Sequence, residues 1–325
     1  MSKLLEIKDL YVNYNTDEGV VHALNGLNLS LDKGESLGLV GETGAGKTTL
    51  ALSILRLLPD KVGEITSGLI EFEGKNILSY SKREMRRLRG DKISMIFQDP
   101  MTSLNPTKTV GKQMREVLDL HFKYLSSKEK TDKVDRMLQK VGIPSERQYE
   151  YAFQFSGGMK QRIGIAMALI AEPQLLIADE PTTALDVTIQ VQVMDLMQRL
   201  QDELNTSMIL ITHDLGIVVD ICTKVAVIYS GQIVEAGTIE DVYAKKSNHP
   251  YTEGLFKCIP DLKSTATRLT PIPGSMADPG NLPVGCKFYD RCKYRMEQCA
   301  RKEPDFYVNG THGIKCYRYA DGWGE

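Results

Sequence analysis

Apolar and polar positions alternate along residues 4–14 and 21–31, the pattern of half-buried strands, with a polar turn at Asp17-Glu18-Gly19 between them. Residues 68–72 add a shorter run of the same kind. A different pattern marks residues 36–40, 93–97, 175–179, 208–212 and 225–229, which are short and almost continuously apolar. Such runs predict parallel strands buried on both faces. Helical periodicity, as at residues 190–204, lies between them, and this alternation is that of an α/β protein with a parallel sheet. Residues 110–171 read as helical with charged faces and no strand signal, which predicts a helical subdomain, about residues 99–171, inserted into the sheet domain. Six Lys or Arg between positions 82 and 92, with Glu84 and Asp91 among them, predict a solvated helix face and no ligand. Beyond residue 250 the character changes: Pro260, Pro271, Pro273, Pro279 and Pro283, with Gly274, Gly280 and Gly285, predict a loop-rich linker before a short cysteine-bearing tail. The expected division is therefore residues 1–250 and 251–325.

A chain of 325 residues with 42% hydrophobic content has room for one large domain and a small one. A net charge of −2 gives no reason to expect a nucleic-acid partner. No apolar stretch approaches the ~18 residues that span a bilayer, and the first residues alternate like a strand without the apolar core of a signal peptide. The expectation is a cytosolic chain that reaches a membrane only through partner subunits.

Two segments carry the chemistry. Gly41-Glu42-Thr43-Gly44-Ala45-Gly46-Lys47-Thr48 is a GxxxxGK[ST] loop between an apolar strand and a helical run at residues 48–58. Glycines let successive backbone N–H groups turn inward around phosphates, the lysine neutralises β/γ-phosphate charge, and the hydroxyl of Thr48 completes a Mg²⁺ shell. Residues 175–179 then form an apolar strand ending in Asp179, with Glu180 next. An acid at that strand end holds Mg²⁺ in phosphate-loop enzymes, and an adjacent carboxylate can polarise an attacking water. Ser156-Gly157-Gly158 precedes a long apolar helical run. Alone it reads equally as an ordinary turn before a helix.

Together these segments resemble the ATP-binding subunits of ABC transporters over about residues 4–250. Residues 41–48 match the Walker A loop, Gln98 the Q-loop, Ser156-Gly157-Gly158-Met159 the signature, and residues 175–179 Walker B. Ala184-Leu185-Asp186 matches the D-loop, and His213 the switch histidine. The resemblance implies a phosphate-loop ATPase domain with a parallel core sheet, an antiparallel β subdomain and an inserted helical subdomain. It implies that Glu180 is the general base, that His213 contacts the γ-phosphate, and that Gln98 links Mg²⁺ to the helical subdomain. Thr48, Gln98 and Asp179 are the implied Mg²⁺ ligands. The resemblance further implies that Tyr14 stacks on adenine and that Gly41, Glu42, Thr43, Gly44, Ala45, Gly46, Lys47, Thr48 and Thr49 cradle ATP. The resemblance also implies that Ser156 and Gly157 face the γ-phosphate of an opposite subunit, so that two subunits close around two ATP molecules, and that Gly158 and Asp186 are further nucleotide-binding positions.

Four of the six cysteines, Cys286, Cys292, Cys299 and Cys316, fall in the tail. A disulfide framework is not expected in a cytosolic enzyme. On a helix over residues 291–302, Cys292 and Cys299 share a face but lie ~10 Å apart along the axis, beyond disulfide reach. One reading makes these thiols small packing residues. The other makes them a metal centre that folds a segment too short for its own core. Zinc Cys₄ sites favour close CxxC pairs, absent here. The spacings of five, six and sixteen intervening residues suit the separated corners of a [4Fe–4S] cubane, with Zn²⁺ the alternative. Cys222 and Cys258 read as core.

This tail, with His249-Pro250-Tyr251-Thr252, Asn281-Leu282-Pro283-Val284-Gly285-Cys286 and Asp99-Pro100-Met101-Thr102-Ser103-Leu104-Asn105-Pro106, resembles the peptide and nickel importer ATPases, in particular the cysteine-bearing dipeptide/oligopeptide type. That group implies a second, related ATP-binding subunit as partner, as a heterodimer or a homodimer. It further implies two transmembrane permease subunits and, indirectly, an extracytoplasmic substrate-binding protein, with the chain peripheral on the cytoplasmic face of the membrane. Tyr151-Ala152-Phe153 departs from the group's usual Tyr-Pro-His, in a stretch near the membrane-subunit interface. The rival readings are a nickel importer ATPase and a soluble ABC ATPase of iron–sulfur assembly.

Overall fold

A computed structural model describes residues 3–98, 104–183, 185–244, 246–258 and 271–323. The expected importer-like segment at residues 99–106 therefore lies mostly outside the described residues, as does Ala184 of the D-loop match. The chain folds as two compact units, one of Leu31–Ser36 and Ser79–Thr212, the other of Leu4–Ser30, Leu37–Leu78 and His213–Glu325.

In the first unit, β6 (Ile93–Ile96), β7 (Leu175–Asp179) and β8 (Ser207–Thr212) are parallel neighbours; in the printed register Ile96 faces Ala178 and Asp179 faces Ile211. Every residue of β7 and β8 is buried, the cause of their continuous apolar reading. Helix α2 (Lys82–Leu88) carries the basic run, buries Met85 and Leu88, and starts at a capping box between Ser81 and Glu84. Helices α3 (Val110–His121), α4 (Ser127–Lys140) and α5 (Gly157–Leu169) make the helical region that the pattern predicts. Val110, Met114 and Leu118 of α3 and Val134, Met137 and Leu138 of α4 are buried at helical spacing. Helix α6 (Val187–Leu204) leads into β8.

In the second unit, β1 (Lys3–Thr16) pairs antiparallel with β4 (Gly63–Phe72), beside β2 (Gly19–Asp32) and the short β5 (Lys75–Asn76). The alternating burial of β1 and β2 is the expected antiparallel pattern. A mixed sheet lies alongside in sequence: β3 (Ser36–Val40) runs parallel to β9 (Lys224–Tyr229), and β9 pairs antiparallel with β10 (Gln232–Thr238). Helices α1 (Lys47–Leu55), α7 (Leu215–Ile221), α8 (Ile239–Tyr243) and α9 (Pro250–Lys257) complete the unit's frame.

The tail departs from expectation. Residues 291–302 are not one helix: a 3₁₀ turn covers Tyr289–Arg291, Cys292 and Met296 are extended, and α10 is only Glu297–Arg301. The chain is bent there because Gly285 crosses beneath the Cys299 carbonyl, with the Cys286 N–H donating to that carbonyl at 2.8 Å. Nor does the tail lack a core. Strands β11 (Tyr307–Asn309) and β12 (His312–Ile314) form a hairpin, and β12 pairs with β10, so the tail extends the sheet. Ile314, Cys316 and Tyr319, flanked by Tyr307 and Trp323, bury a small cluster behind it. A carboxylate inside the sheet locks this junction: Glu235, fully buried, meets His312 Nε2 at 2.8 Å and accepts from Asn248 and the His249 N–H. Cys222 is core as expected, and burial pushes its thiol up to about 12. Cys258 is not: at the C-cap of α9 it stays half-buried.

Candidate functional site

The phosphate loop of the second unit has the conformation its glycines predict. Gly44 and Gly46 take φ of 83° and 105°, left-handed values that side chains resist. A Cβ on Gly46 would also lie 2.8 Å from the Ala23 carbonyl oxygen. The loop is closed by Ala45 N–H donating to Glu42 O at 3.1 Å and held to its surroundings by Gly231 N–H donating to Ala45 O at 2.9 Å. Helix α1 begins at Lys47 with no side-chain cap, leaving its N-terminus the kind of end that binds anions. Lys47 is buried and its ammonium donates to the carbonyls of Gly41 at 2.7 Å and Glu42 at 3.0 Å, so the cation is folded onto the loop it serves. Thr43 and Thr48 are exposed, and the Tyr14 hydroxyl donates to Thr49 Oγ1 at 3.3 Å, which joins the aromatic at the strand end to α1. His213 is exposed and begins the segment of this unit that follows β8.

The first unit brings together the acidic end of β7 and the Q-loop residue. Asp179 is buried at the strand end. Glu180 turns out of the strand at φ 45°, a left-handed value that a β-carbon disfavours. Its backbone N–H donates to Ile211 O at 2.9 Å, while Oε2 accepts from Gln98 Nε2 and from Thr183 Oγ1, each at 3.0 Å. Thr183 was not expected; a hydroxyl three residues after a catalytic-type carboxylate is the signal that finds it. In the same unit Ser156 caps α5, its hydroxyl accepting from Met159 N–H at 3.4 Å. A Cβ on Gly157 would meet nothing, whereas one on Gly158 would lie 2.8 Å from Ile189 on α6, so the two glycines serve differently: one leaves an open surface, one admits a neighbour. Asp186 caps α6 through Ile189 N–H at 3.0 Å. Arg147, paired with both oxygens of Glu150, lies over the Phe155 ring at 4.3 Å beside the signature turn. Tyr151 and Phe153 stack in the open, Phe153 being 71% exposed.

The four tail cysteines gather. Burial pushes Cys286 up to about 12, and the charges of Cys316, Cys299 and Cys292 add to the rise. Burial also pushes Cys316 up to about 11, with Cys292 and Cys299 adding, and raises Cys292. Four thiols within reach of one another's charge are a donor set of the right type for a thiolate-held metal. Yet among the described residues no group of three or more His, Cys, Asp or Glu is arranged to hold a metal ion. The spacing-based expectation of a metal centre is thus not realised as a formed site.

The same tail touches the phosphate loop, which the sequence reading missed. Arg291 and Glu42 make a bidentate pair at 2.7 and 3.0 Å, with the Arg291 Nε donating to Pro273 O at 2.9 Å. The Glu42 N–H donates to the Tyr251 hydroxyl at 2.8 Å, and Met276 lies against Gly44. The available signal was an acid in a loop built for anions: Glu42 needs a cation, and none follows locally before Lys47.

Comparison with known proteins gives three results. Residues 24–183 match the family described as ABC transporter, and residues 234–299 that described as oligopeptide/dipeptide transporter, C-terminal region, which takes in three of the four cysteines and stops short of Cys316. The chain is 48% identical to the oligopeptide transport ATP-binding protein OppD of Bacillus subtilis, over 98% of this chain and 89% of that protein. It is 47% identical to the dipeptide transport ATP-binding protein DppD of the same organism, over 98% and 95%. Among solved structures, the dimeric post-hydrolysis state of the ATP-binding cassette MJ0796, bound to ADP and Pi, superposes with a TM-score of 0.64 at 26% identity, covering 72% of this chain and 98% of that one.

Proposed function

This chain belongs to the ABC transporter family, in the branch of oligopeptide and dipeptide ATP-binding subunits, and is an ATPase; from that premise we propose that its hydrolysis powers import of dipeptides or oligopeptides across the cytoplasmic membrane. The observation that carries the substrate class is the C-terminal match at residues 234–299, joined to full-length similarity with relatives named for peptides. Those names favour peptides over nickel, and a transport region in the tail favours a transporter over a soluble iron–sulfur assembly ATPase. Among the described residues no helix is long and apolar enough to cross a membrane. The partners in this reading are two transmembrane permease subunits, a second ATP-binding subunit and an extracytoplasmic substrate-binding protein, with the chain on the cytoplasmic face.

In this reading the residues take the roles that the family resemblance implies. Lys47 and the N–H groups of residues 43–49 neutralise and orient the phosphates of ATP. Thr48, Gln98 and Asp179 are oxygen donors of the kind Mg²⁺ prefers, and the ion would supply charge neutralisation at the β/γ-phosphates. Glu180 takes a proton from the attacking water, with Gln98 and Thr183 fixing its carboxylate by the two 3.0 Å hydrogen bonds. His213 contacts the γ-phosphate, and Tyr14 stacks on adenine. Ser156, Gly157, Gly158 and Asp186 serve the site of the opposite subunit; the dimeric, nucleotide-bound cassette of similar fold supports that arrangement. The four cysteines form the second part of the reading. Bare, burial keeps Cys286 and Cys316 as neutral thiols; a [4Fe–4S] cluster, or zinc, would be held by the four as thiolates. Anaerobic purification with metal analysis decides it, and neither iron nor zinc at stoichiometric level sinks the centre.

The test of function is reconstitution. The tagged chain, purified from membranes, should bring down polytopic permease subunits, and in proteoliposomes peptide-loaded binding protein should stimulate its ATPase. Purification without any membrane partner, or stimulation by nickel and not by peptides, would reject the peptide reading.

A further inference from the structure

The C-terminal extension is fastened to the phosphate loop at the one loop position that carries negative charge. Arg291 is almost sealed from solvent, 5% exposed at its side chain against 31% for Glu42, and it spends three donors on two oxygens of Glu42 and on Pro273 O. Residue 42 is held again from below, where its N–H donates to Tyr251. Its carbonyl, with that of Gly41, accepts the Lys47 ammonium. A continuous path of hydrogen bonds therefore runs from the extension through residue 42 to the lysine.

We propose that Arg291 is a positioning residue for nucleotide binding: it cancels the Glu42 carboxylate beside the phosphate cradle and fixes the peptide that holds Lys47. This rests on the reading that the loop binds ATP. A guanidinium suits the task because its planar fork engages both carboxylate oxygens at once and cannot deprotonate. Without it, Glu42 presents an uncompensated negative charge to a polyanionic ligand. The extension would then tune affinity for nucleotide from outside the catalytic motifs.

Isothermal titration of the full chain with MgATP tests this through a double-variant cycle. Arg291→Met should raise Kd about tenfold. Adding Glu42→Gln to it should recover most of that loss, because the offending charge is gone. The deficit of the single variant should also shrink at high salt, as charge repulsion does. Arg291→Gln, which can still donate to the Pro273 carbonyl, gives the same cycle if Arg291→Met does not fold. Unchanged affinity in the single variants overturns the proposal. So does a double variant that binds as weakly as the single one, since undocking of the extension would then be the cause. A wild-type chain that does not bind MgATP overturns the reading beneath it, and the first titration tells that failure apart.

Discussion

The phosphate loop and the cysteine-bearing extension lie in one compact unit and are both marked by glycines, yet they are built by opposite means. The loop is shaped from within: Gly44 and Gly46 take left-handed conformations, and Lys47 closes onto the carbonyls of residues five and six positions before it. The extension is shaped from without. Its bend depends on Gly285 passing under Cys299, its hairpin on pairing with β10, and its anchor on a bond from Arg291 to a residue 249 positions away. The loop takes its backbone from its own residues; the extension depends on distant contacts and, through Arg291, can act back on the loop.

The largest effect should come from the chemistry that neither element supplies. Glu180→Gln should lower phosphate release by at least ~10²-fold while MgATP binding is kept, since the amide still accepts a hydrogen bond but takes no proton. Near-normal turnover would reassign the base. Lys47→Ala should instead abolish binding, separating ligand capture from proton transfer.

Next come the two glycines. Gly46→Ala forces a left-handed φ and a contact with the Ala23 carbonyl, and should cost nucleotide binding with little change in the extension. Gly285→Ala places a Cβ 2.1 Å from the Cys299 carbonyl oxygen, backbone that cannot swing aside. It should destabilise the tail by ~2–3 kcal/mol, exposing it to limited proteolysis, and should also weaken MgATP binding through Arg291. Proteolysis without any change in affinity would show the two regions to be independent.

A pH test addresses the junction between them. His249, fully buried, caps α9, which carries Tyr251, and burial lowers its pKa to about 3. The unfolded chain therefore binds a proton that the folded one refuses between about pH 6.5 and 3, so this group's contribution is complete above the upper value and is lost as pH falls. Wild-type chain should lose on the order of 2 kcal/mol more than His249→Asn between pH 7.5 and 5 in urea titrations. Equal losses would mean that the imidazole does not limit acid stability.

The smallest effect is the control. Glu297 and Arg301 pair across one turn of α10 at 3.4 Å, both largely exposed. Glu297→Ala should change stability by under ~0.5 kcal/mol. A larger loss would mean that α10, and with it Cys299, is held more locally than the comparison implies.

The order of these effects matches how much could be read beforehand. Walker A, the acidic end of β7, and the signature cap at Ser156 were legible because each is a short segment whose backbone geometry follows from its own residues. The buried strands were legible because burial on both faces leaves a continuous apolar run. The broken path of residues 291–302 was not legible, because periodicity cannot register Gly285 crossing at Cys299. Strands β10, β11 and β12 went unread, since Gln232, Glu235 and His312 interrupt the apolar pattern and are satisfied only by partners far along the chain.

By itself, then, the sequence determined the family and the phosphate loop, since local conformational preference and residue chemistry are written in adjacent positions. Only the tertiary structure decided that Thr183 and Gln98 share one oxygen of Glu180, that the tail completes a sheet, and that Arg291 answers Glu42. Charge pairing and sheet extension depend on which distant segments fold together, and no spacing along the chain records that.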